Sequence, residues 1–247
     1  MSINAKPLVW NEQLVNKFWD FYANCPEEYF TYKYGANIIE TISDEIKKGA
    51  KVLDYGCGTG FIISHLLEKG YEIYGADSSV ESIKFTNNKY ADKNDFRGAY
   101  LLGEIVNLKE KFDVILVIEV IEHLSDHFLI ELFQNVKSIL NPGGKVIFTT
   151  PNNEDLERSV VYCPDCNHTF HRWQHVRQWT VDSLSYVLTI NDFQNIKSYT
   201  TNFTIKNTKN IFKKINRFMR RPANAINPHL VAICSREEKE TDNKKLK

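Results

Sequence analysis

Three groups of residues in this chain of 247 have the types and the spacing to do chemistry. The first is Asp54-Tyr-Gly56-Cys57-Gly58-Thr-Gly60, a carboxylate followed by glycine at every second position. Glycine reaches backbone angles closed to other residues and lets a ligand lie against bare main chain. A helix starting at Phe61 would aim its unpaired N–H groups and positive dipole end at the same place. A nucleotide-type ligand fits there. The spacing is not that of the dinucleotide fingerprint G-x-G-x-x-G. Asp77 follows roughly twenty residues beyond the loop, where a carboxylate can take two ribose hydroxyls. The second group, Glu119-Val-Ile-Glu122-His123, sets two acids and an imidazole where an apolar run gives way to a helical pattern. The third runs from Cys163 to His175. Its Cys163, Cys166, His171 and His175 follow C-x2-C-x4-H-x3-H, with His168 between them. A thiolate pair on a tight knuckle plus two imidazoles one helical turn apart suits tetrahedral zinc. Surface thiols in a reducing compartment are the plainer reading.

Alternating elements must position these groups. Strand patterns cover Val52–Tyr55, Tyr71–Ala76, Arg97–Leu102, Asp113–Ile118 and Lys145–Thr150, with helical patterns at Phe61–Lys69, Val80–Tyr90 and Asp126–Leu140. That alternation indicates a parallel α/β sheet covered on both faces. In such sheets ligands collect at the carboxyl ends of the strands, and Asp54, Asp77 and Glu119 stand at such ends. After Pro151 the pattern breaks for about thirty residues, a length that in a compact domain goes with function. Thr180 then caps a helix at Leu184–Ile190, and Ile196–Ile205 and Leu230–Cys234 read as the sixth and seventh strands.

Residues 1–50 form an expected helical cover, its last helix running Ile38–Lys48 and stopping at Gly49. Within it Tyr29, Phe30, Tyr32 and Tyr34 either pack on the core or close a lid that excludes water. The main domain is expected at 51–236, with a Cys/His-rich insertion at 151–180 and a basic one at 206–228. A charged tail at 237–247 is expected to be disordered.

The composition, 43% hydrophobic and 25% charged, is that of an ordinary globular protein. With zero formal net charge, any attraction to polyanions must be local. The candidate is Ile211–Arg221, a basic amphipathic segment. It is either a solvated helix or a contact for a phosphate-bearing substrate, a membrane surface or RNA. No apolar run approaches ~18 residues, and Met-Ser-Ile-Asn-Ala-Lys lacks the core of a signal peptide. Five cysteines, odd in number and unevenly spread, do not make a secreted disulfide framework. A cytoplasmic location is expected.

Asp54 to Gly60, Gly75-Ala-Asp77, Phe112 to Glu119, and Leu140-Asn-Pro-Gly-Gly-Lys-Val-Ile-Phe148 occur in this order. Together they resemble the class I S-adenosylmethionine-dependent methyltransferases, well over Lys51–Pro151 and more loosely beyond. The resemblance implies a Rossmann-like fold with a seven-stranded, mostly parallel sheet, and S-adenosylmethionine as methyl donor. Gly56 and Gly58, flanking Cys57, would back its methionine part, with Asp54, Ser78 and Glu119 beside it. Asp77 would hold its ribose, Glu104 the adenine amino group and Ile105 the adenine ring. The look is that of bacterial members that methylate an oxygen of a small polar acceptor in glycan, sugar-nucleotide or capsular phosphoryl chemistry. The acceptor is therefore expected to be anionic. A hydroxyl acceptor needs in-line placement and a proton acceptor, for which His123, Glu119 and His168 are the candidates. Glu119, Glu122, His123 and the later His175 also resemble the set with which small-RNA 3′-terminal 2′-O-methyltransferases hold magnesium or manganese. RNA is the less expected partner. A donor-binding module without turnover is the third alternative.

Overall fold

Hydrogen-bonded strands and the helices that cover them account for most of the chain in the computed structural model, which describes residues 5–205 and 227–236. In order these are β1 (Lys6–Pro7), α1 (Glu12–Tyr22), α2 (Phe30–Ile42), β2 (Lys51–Tyr55), α3 (Phe61–Leu67), β3 (Glu72–Asp77) and α4 (Val80–Lys89). Next come β4 (Phe96–Leu101), α5 (Leu102–Asn107), β5 (Phe112–Ile118), α6 (Asp126–Ile139) and β6 (Leu140–Pro151). The remainder is β7 (Val160–Cys163), β8 (His168–His171), α7 (Val181–Ile190), β9 (Phe193–Thr201) and β10 (His229–Arg236).

The main sheet has the order β4-β3-β2-β5-β6-β10-β9. Strands β2 to β6 run parallel, and β10 is antiparallel to both of its neighbours. The chain moves outward from β2 through β4, then returns to β5 and builds the other half. The order therefore reverses between β2 and β5, where open α/β sheets bind ligands. Both faces are buried. Leu53, Ile115, Val117 and Phe148 point into one apolar layer; Val52, Val114, Leu116 and Ile147 point into the other. This two-sided burial explains why β5 reads as an almost continuous apolar run.

Several boundaries differ from expectation. Helix α2 starts at Phe30, not Ile38, because Tyr34, Ile38 and Ile42 continue one stripe at helical spacing into the second layer. Strand β6 starts at Leu140, so the Pro-Gly-Gly stretch belongs to the strand rather than to a stop before it. Strand β9 begins at Phe193, whose ring is buried against Phe133 and Phe148. The long connection after β6 is not loop throughout. Its β7–β8 hairpin pairs with β1, which runs parallel to β8 with Lys6 opposite His168. Trp10 meets Phe170 and Phe18 edge to face at 5.9 and 5.5 Å. The N-terminal cover and the Cys/His-rich connection thus form one layer over the sheet's end. Apart from Asn227 and Pro228, the basic stretch at 206–228 lies outside the described residues, as does the tail at 237–247. Among the described residues no helix is long and apolar enough to cross a membrane.

Phe148 is fully buried, between the rings of Phe133 and Phe193. Phe148→Ala is expected to cost about 3–5 kcal/mol of stability through the cavity it opens. The readout is a lower urea midpoint at unchanged slope; a loss under about 1 kcal/mol would show that this layer closes around the gap.

Candidate active site

A cavity of about 1090 Å³ opens at the carboxyl ends of β2, β3 and β5. That is the upper end of the range for one drug-sized ligand, with room for two reactants side by side. One half is built from the glycine loop. Gly56 has φ +85°, and its N–H donates to the Ala76 carbonyl at 2.7 Å. A Cβ added there would stand 2.4 Å from Val120 Cγ2, so only bare backbone fits. Asp77 holds the loop: Gly58 N–H donates to its Oδ2 at 2.8 Å and Ser79 N–H to its Oδ1 at 2.9 Å. Each oxygen keeps a lone pair for a ligand hydroxyl. Tyr29 lies over Gly58, where a Cβ would come within 3.3 Å of its ring. Of the four rings in question, Tyr29, Phe30 and Tyr34 face the cavity, while Tyr32 is exposed and meets Phe61.

Asp54 is 2% exposed, and its Oδ2 has no hydrogen-bond partner. Burial, then the nearby Asp77, push its carboxyl up to about 7. Such a group invites a ligand with donors or positive charge. Cys57 is buried with its Sγ against Gly75, and burial pushes the thiol far up, so it fills space rather than reacting. Ser78 lines the cavity. Glu104 does not. Its Oε2 accepts the Leu101 N–H at 3.0 Å, and Ile105 is fully buried in the core. Helix α5 starts directly at the end of β4, which turns both away and leaves Leu101, Leu102 and Gly103 on the lining.

The other half is acidic and imidazole-rich. Glu119 sits at φ +53°, a conformation that costs a non-glycine residue roughly 1–3 kcal/mol and collects at functional sites. Thr149 Oγ1 donates to its Oε1 at 2.7 Å, and burial raises its carboxyl to about 7. Glu122 is 1% exposed. Thr150 Oγ1 donates to its Oε2 at 3.0 Å, while Oε1 has no partner. Burial, then Glu119, push this carboxyl well above the ordinary range. His123 Nε2 lies 3.8 Å from Glu122 Oε1, and its Nδ1 is buried without a partner. Burial first, then His175, hold this imidazole well below its usual pKa.

Hydrogen bonds to the backbone carbonyls of residues 122–124, one from main chain and the others from side chains, clamp residues 174–177 onto this group. Gln174 Nε2 donates to the His123 carbonyl at 2.9 Å, and Gln174 Oε1 accepts Trp19 Nε1–H at 3.1 Å. Val176 N–H donates to the Glu122 carbonyl at 2.8 Å, and Arg177 donates to the Leu124 carbonyl. The ring of His175 therefore comes 4.8 Å from that of His123 and stacks on His171 at 4.4 Å. Glu154 Oε2 is 2.5 Å from His175 Nδ1. Two trios each bring ligand atoms within 4.8 Å of one another: Glu122, His123, His175, and Glu154, His171, His175.

The thiols are elsewhere. Cys163 ends β7 opposite His168, and Cys166 is exposed in the turn. Strands rise ~3.3 Å per residue, so His171, three residues along β8 from His168, is carried roughly 10 Å from the tip. The zinc tetrad of Cys163, Cys166, His171 and His175 is not assembled, and among the described residues neither metal-capable trio contains a thiolate. Hydrogen bonds from Cys166 instead lower the Cys163 thiol. His168 is also outside the cavity lining, which removes it as a catalytic candidate. Glu154 and His229 are among the lining residues that were not expected. Glu154 follows the end of β6 and was open to the same strand-end rule that singled out Asp77. His229 had no such signal, since it reaches the site only because β10 runs antiparallel. Its Nδ1 accepts the Phe203 N–H at 3.1 Å, and burial lowers its pKa to about 4.

A family model described as a methyltransferase domain matches residues 27–198. A ubiquinone biosynthesis O-methyltransferase from Rickettsia typhi is 32% identical over 162 residues, 61% of this chain and 62% of that protein. One of the same name from Pelagibacter ubique is 32% identical over 175 residues, 64% and 69% of the two chains. The chain thus spans about three-fifths of the length of the first of these relatives. Among solved structures, an S-adenosylmethionine-dependent methyltransferase from Clostridium acetobutylicum superposes with a TM-score of 0.59 at 16% identity, covering 91% of this chain and 99% of that one. A glycopeptide N-methyltransferase complexed with sinefungin gives 0.60 at 14% identity, covering 84% and 95%. These likenesses establish the fold.

An acid raised on folding binds its proton more tightly in the folded chain. The stability from Asp54 is therefore full below about 3.8 and is lost as pH rises toward about 7. Asp54→Asn removes that loss. The melting temperature of the ligand-free variant minus that of wild type is expected to grow from pH 5 to pH 8 in differential scanning calorimetry. A difference flat across that range would show that Asp54 is not held protonated.

Proposed function

The chain belongs to the methyltransferase-domain family, and from that premise we propose that it transfers a methyl group from S-adenosylmethionine to a hydroxyl oxygen of a small polar acceptor. The observation that carries this reading is a bare-backbone cradle beside an unpartnered buried carboxylate, opening within one cavity onto an imidazole and carboxylate cluster. The donor fits the residues present. Gly56 and Gly58 would lie against its methionine part and Asp77 would accept its ribose hydroxyls. Among the described residues, eight lining carboxylates against the one cation of Lys33 favour a positively charged ligand. Bound there, the donor supplies a methyl group on a sulfonium, which needs no activation. The chain's own residues place the acceptor, exclude water and accept a proton. Trp19, Tyr29 and Trp173 line the cavity with apolar rings. Neutral His123 keeps a lone pair at pH 7.

Oxygen as the methylated atom is supported by the relatives from Rickettsia typhi and Pelagibacter ubique, which are O-methyltransferases by name. For the acceptor, rings such as Tyr22, Trp173 and Phe128 can cover the C–H faces of a sugar while carboxylates accept its hydroxyls. A glycan or sugar-nucleotide precursor suits this lining through its neutral sugar. A phosphoryl group would meet acids rather than cations. Five free cysteines suit a reducing cytoplasm.

Isothermal calorimetry should show binding of S-adenosylmethionine and of its demethylated product. Gly56→Ala, which keeps the circular dichroism of wild type, should weaken both about tenfold or more through the Val120 contact and the positive φ. Mass spectrometry of products from a panel of free sugars and sugar nucleotides reads the acceptor; no heat with either donor compound would remove the reading.

One observation favours a second reading, methylation of an RNA 3′-terminal ribose at a divalent cation. Glu122 Oε1 and His123 Nδ1 are buried without partners, and Glu122, His123 and His175 could ligate one ion, with Glu119 alongside. That reading expects EDTA to abolish methylation of a 3′-terminal RNA and added Mn²⁺ to restore it. Full activity in EDTA, on sugars alone, removes it.

A further inference from the structure

The two trios share His175, and hydrogen bonding decides which of them can hold a cation. His171 Nδ1 accepts the backbone N–H groups of Trp173 at 3.3 Å and His175 at 3.2 Å. A neutral imidazole carries one lone pair and one N–H. The His171 proton therefore sits on Nε2, which faces Glu154 Oε1 at 3.6 Å and has no hydrogen-bond partner. A nitrogen that keeps its proton does not ligate a metal, so His171 is not a ligand and the trio containing it is not a site.

The same logic gives His175 the opposite tautomer. Its Nδ1 stands 2.5 Å from Glu154 Oε2, and an ionised carboxylate only accepts. Nδ1 of His175 is the donor, and the lone pair on its Nε2 is left for the trio with Glu122 and His123. We propose that Glu154 is the positioning residue of a divalent-cation site made by Glu122, His123 and His175. Its carboxylate fixes the tautomer and ring direction of His175, while His171, anchored by two backbone N–H groups, stands beside its second oxygen. Histidine ligands commonly give their other N–H to a carboxylate in this way, and losing that partner costs about 10–100-fold in metal affinity. The loop supports the role: Asn153 N–H donates to the Trp179 carbonyl at 2.7 Å and Gln178 Nε2 to Asn153 Oδ1 at 2.7 Å, tying the Glu154 segment to the strip that carries His175.

This proposal rests on the cation reading above, and two measurements on the full chain separate them. Mn²⁺ alone is titrated by electron paramagnetic resonance into wild type, Glu154→Ala, Glu154→Gln and His175→Ala. Nitrogen-15 NMR reads the histidine tautomers without metal. Wild type is expected to bind Mn²⁺ and His175→Ala to lose it. Glu154→Ala should bind about 10–100-fold more weakly. Glu154→Gln, whose amide oxygen still accepts the Nδ1 proton, should recover most of the affinity. In metal-free wild type His175 should carry its proton on Nδ1, and in Glu154→Ala on a mixture of both nitrogens. Wild-type affinity and an unchanged tautomer in Glu154→Ala overturn the proposal alone. A wild type that binds no Mn²⁺ overturns the cation reading and this proposal with it.

Discussion

Two hydrogen bonds to the carboxylate of Asp77 organise the glycine-loop half of the cavity. One takes the N–H of Gly58 and the other that of Ser79, so a single side chain ties the glycine turn after β2 to the start of α4 after β3. The turn must then pass beneath Val120 with nothing on its Cα, which makes Gly56 irreplaceable on steric grounds. Neighbouring strands end at one level because they pair in parallel register, Asp54 beside Gly75 and beside Leu116. Acids at those ends are thereby gathered at the reversal of strand order and share a cost of burial. Burial raises the carboxyls of Asp54, Glu119 and Glu122 above the ordinary range. A cationic ligand or an ion offsets that cost, which ties the electrostatics of the site to its chemistry.

The imidazole-rich half depends on a different device. The stretch from Gln174 to Arg177 has no regular structure of its own and is held by donating to the carbonyls of Glu122, His123 and Leu124. Those carbonyls belong to the turn that follows β5, so the two imidazoles are fixed to each other by main chain. Trp19 joins the clamp from the N-terminal layer through Gln174. Opening that layer would therefore disturb His123 and His175 together, a coupling of cover and chemistry built into one amide side chain.

Local signals were strong where the physics is local. Left-handed glycines, an acid at a strand end and apolar runs buried on both faces each leave a mark within a few residues, and the residues they single out, Asp54, Gly56, Gly58 and Asp77, line one cavity. Glu104 failed because strand β4 passes into α5 without a loop, and a shift of a few residues at such a junction turns a side chain from cavity to solvent. Cys163, Cys166, His171 and His175 failed for a related reason. Their spacing suits a compact knuckle, but the chain is extended there, and an extended strand separates what a tight turn would gather.

The amino-acid order by itself determined a parallel α/β sheet, the glycine turn and the acids along the strand tips, since each follows from periodicity and backbone freedom within one segment. The Rossmann-like methyltransferase fold was implied by the resemblance of four ordered motifs. Tertiary structure alone decided which imidazoles meet. His175 was drawn to Glu122 and His123, and His171 to Glu154, rather than to the cysteines beside them in sequence, with His175 held by hydrogen bonds to carbonyls some fifty residues earlier in the chain. His229 arrived through an antiparallel strand whose direction no local pattern encodes. Side-chain chemistry is written residue by residue, but the partner each group finds is set by chain reversal and register, which are properties of the whole sheet.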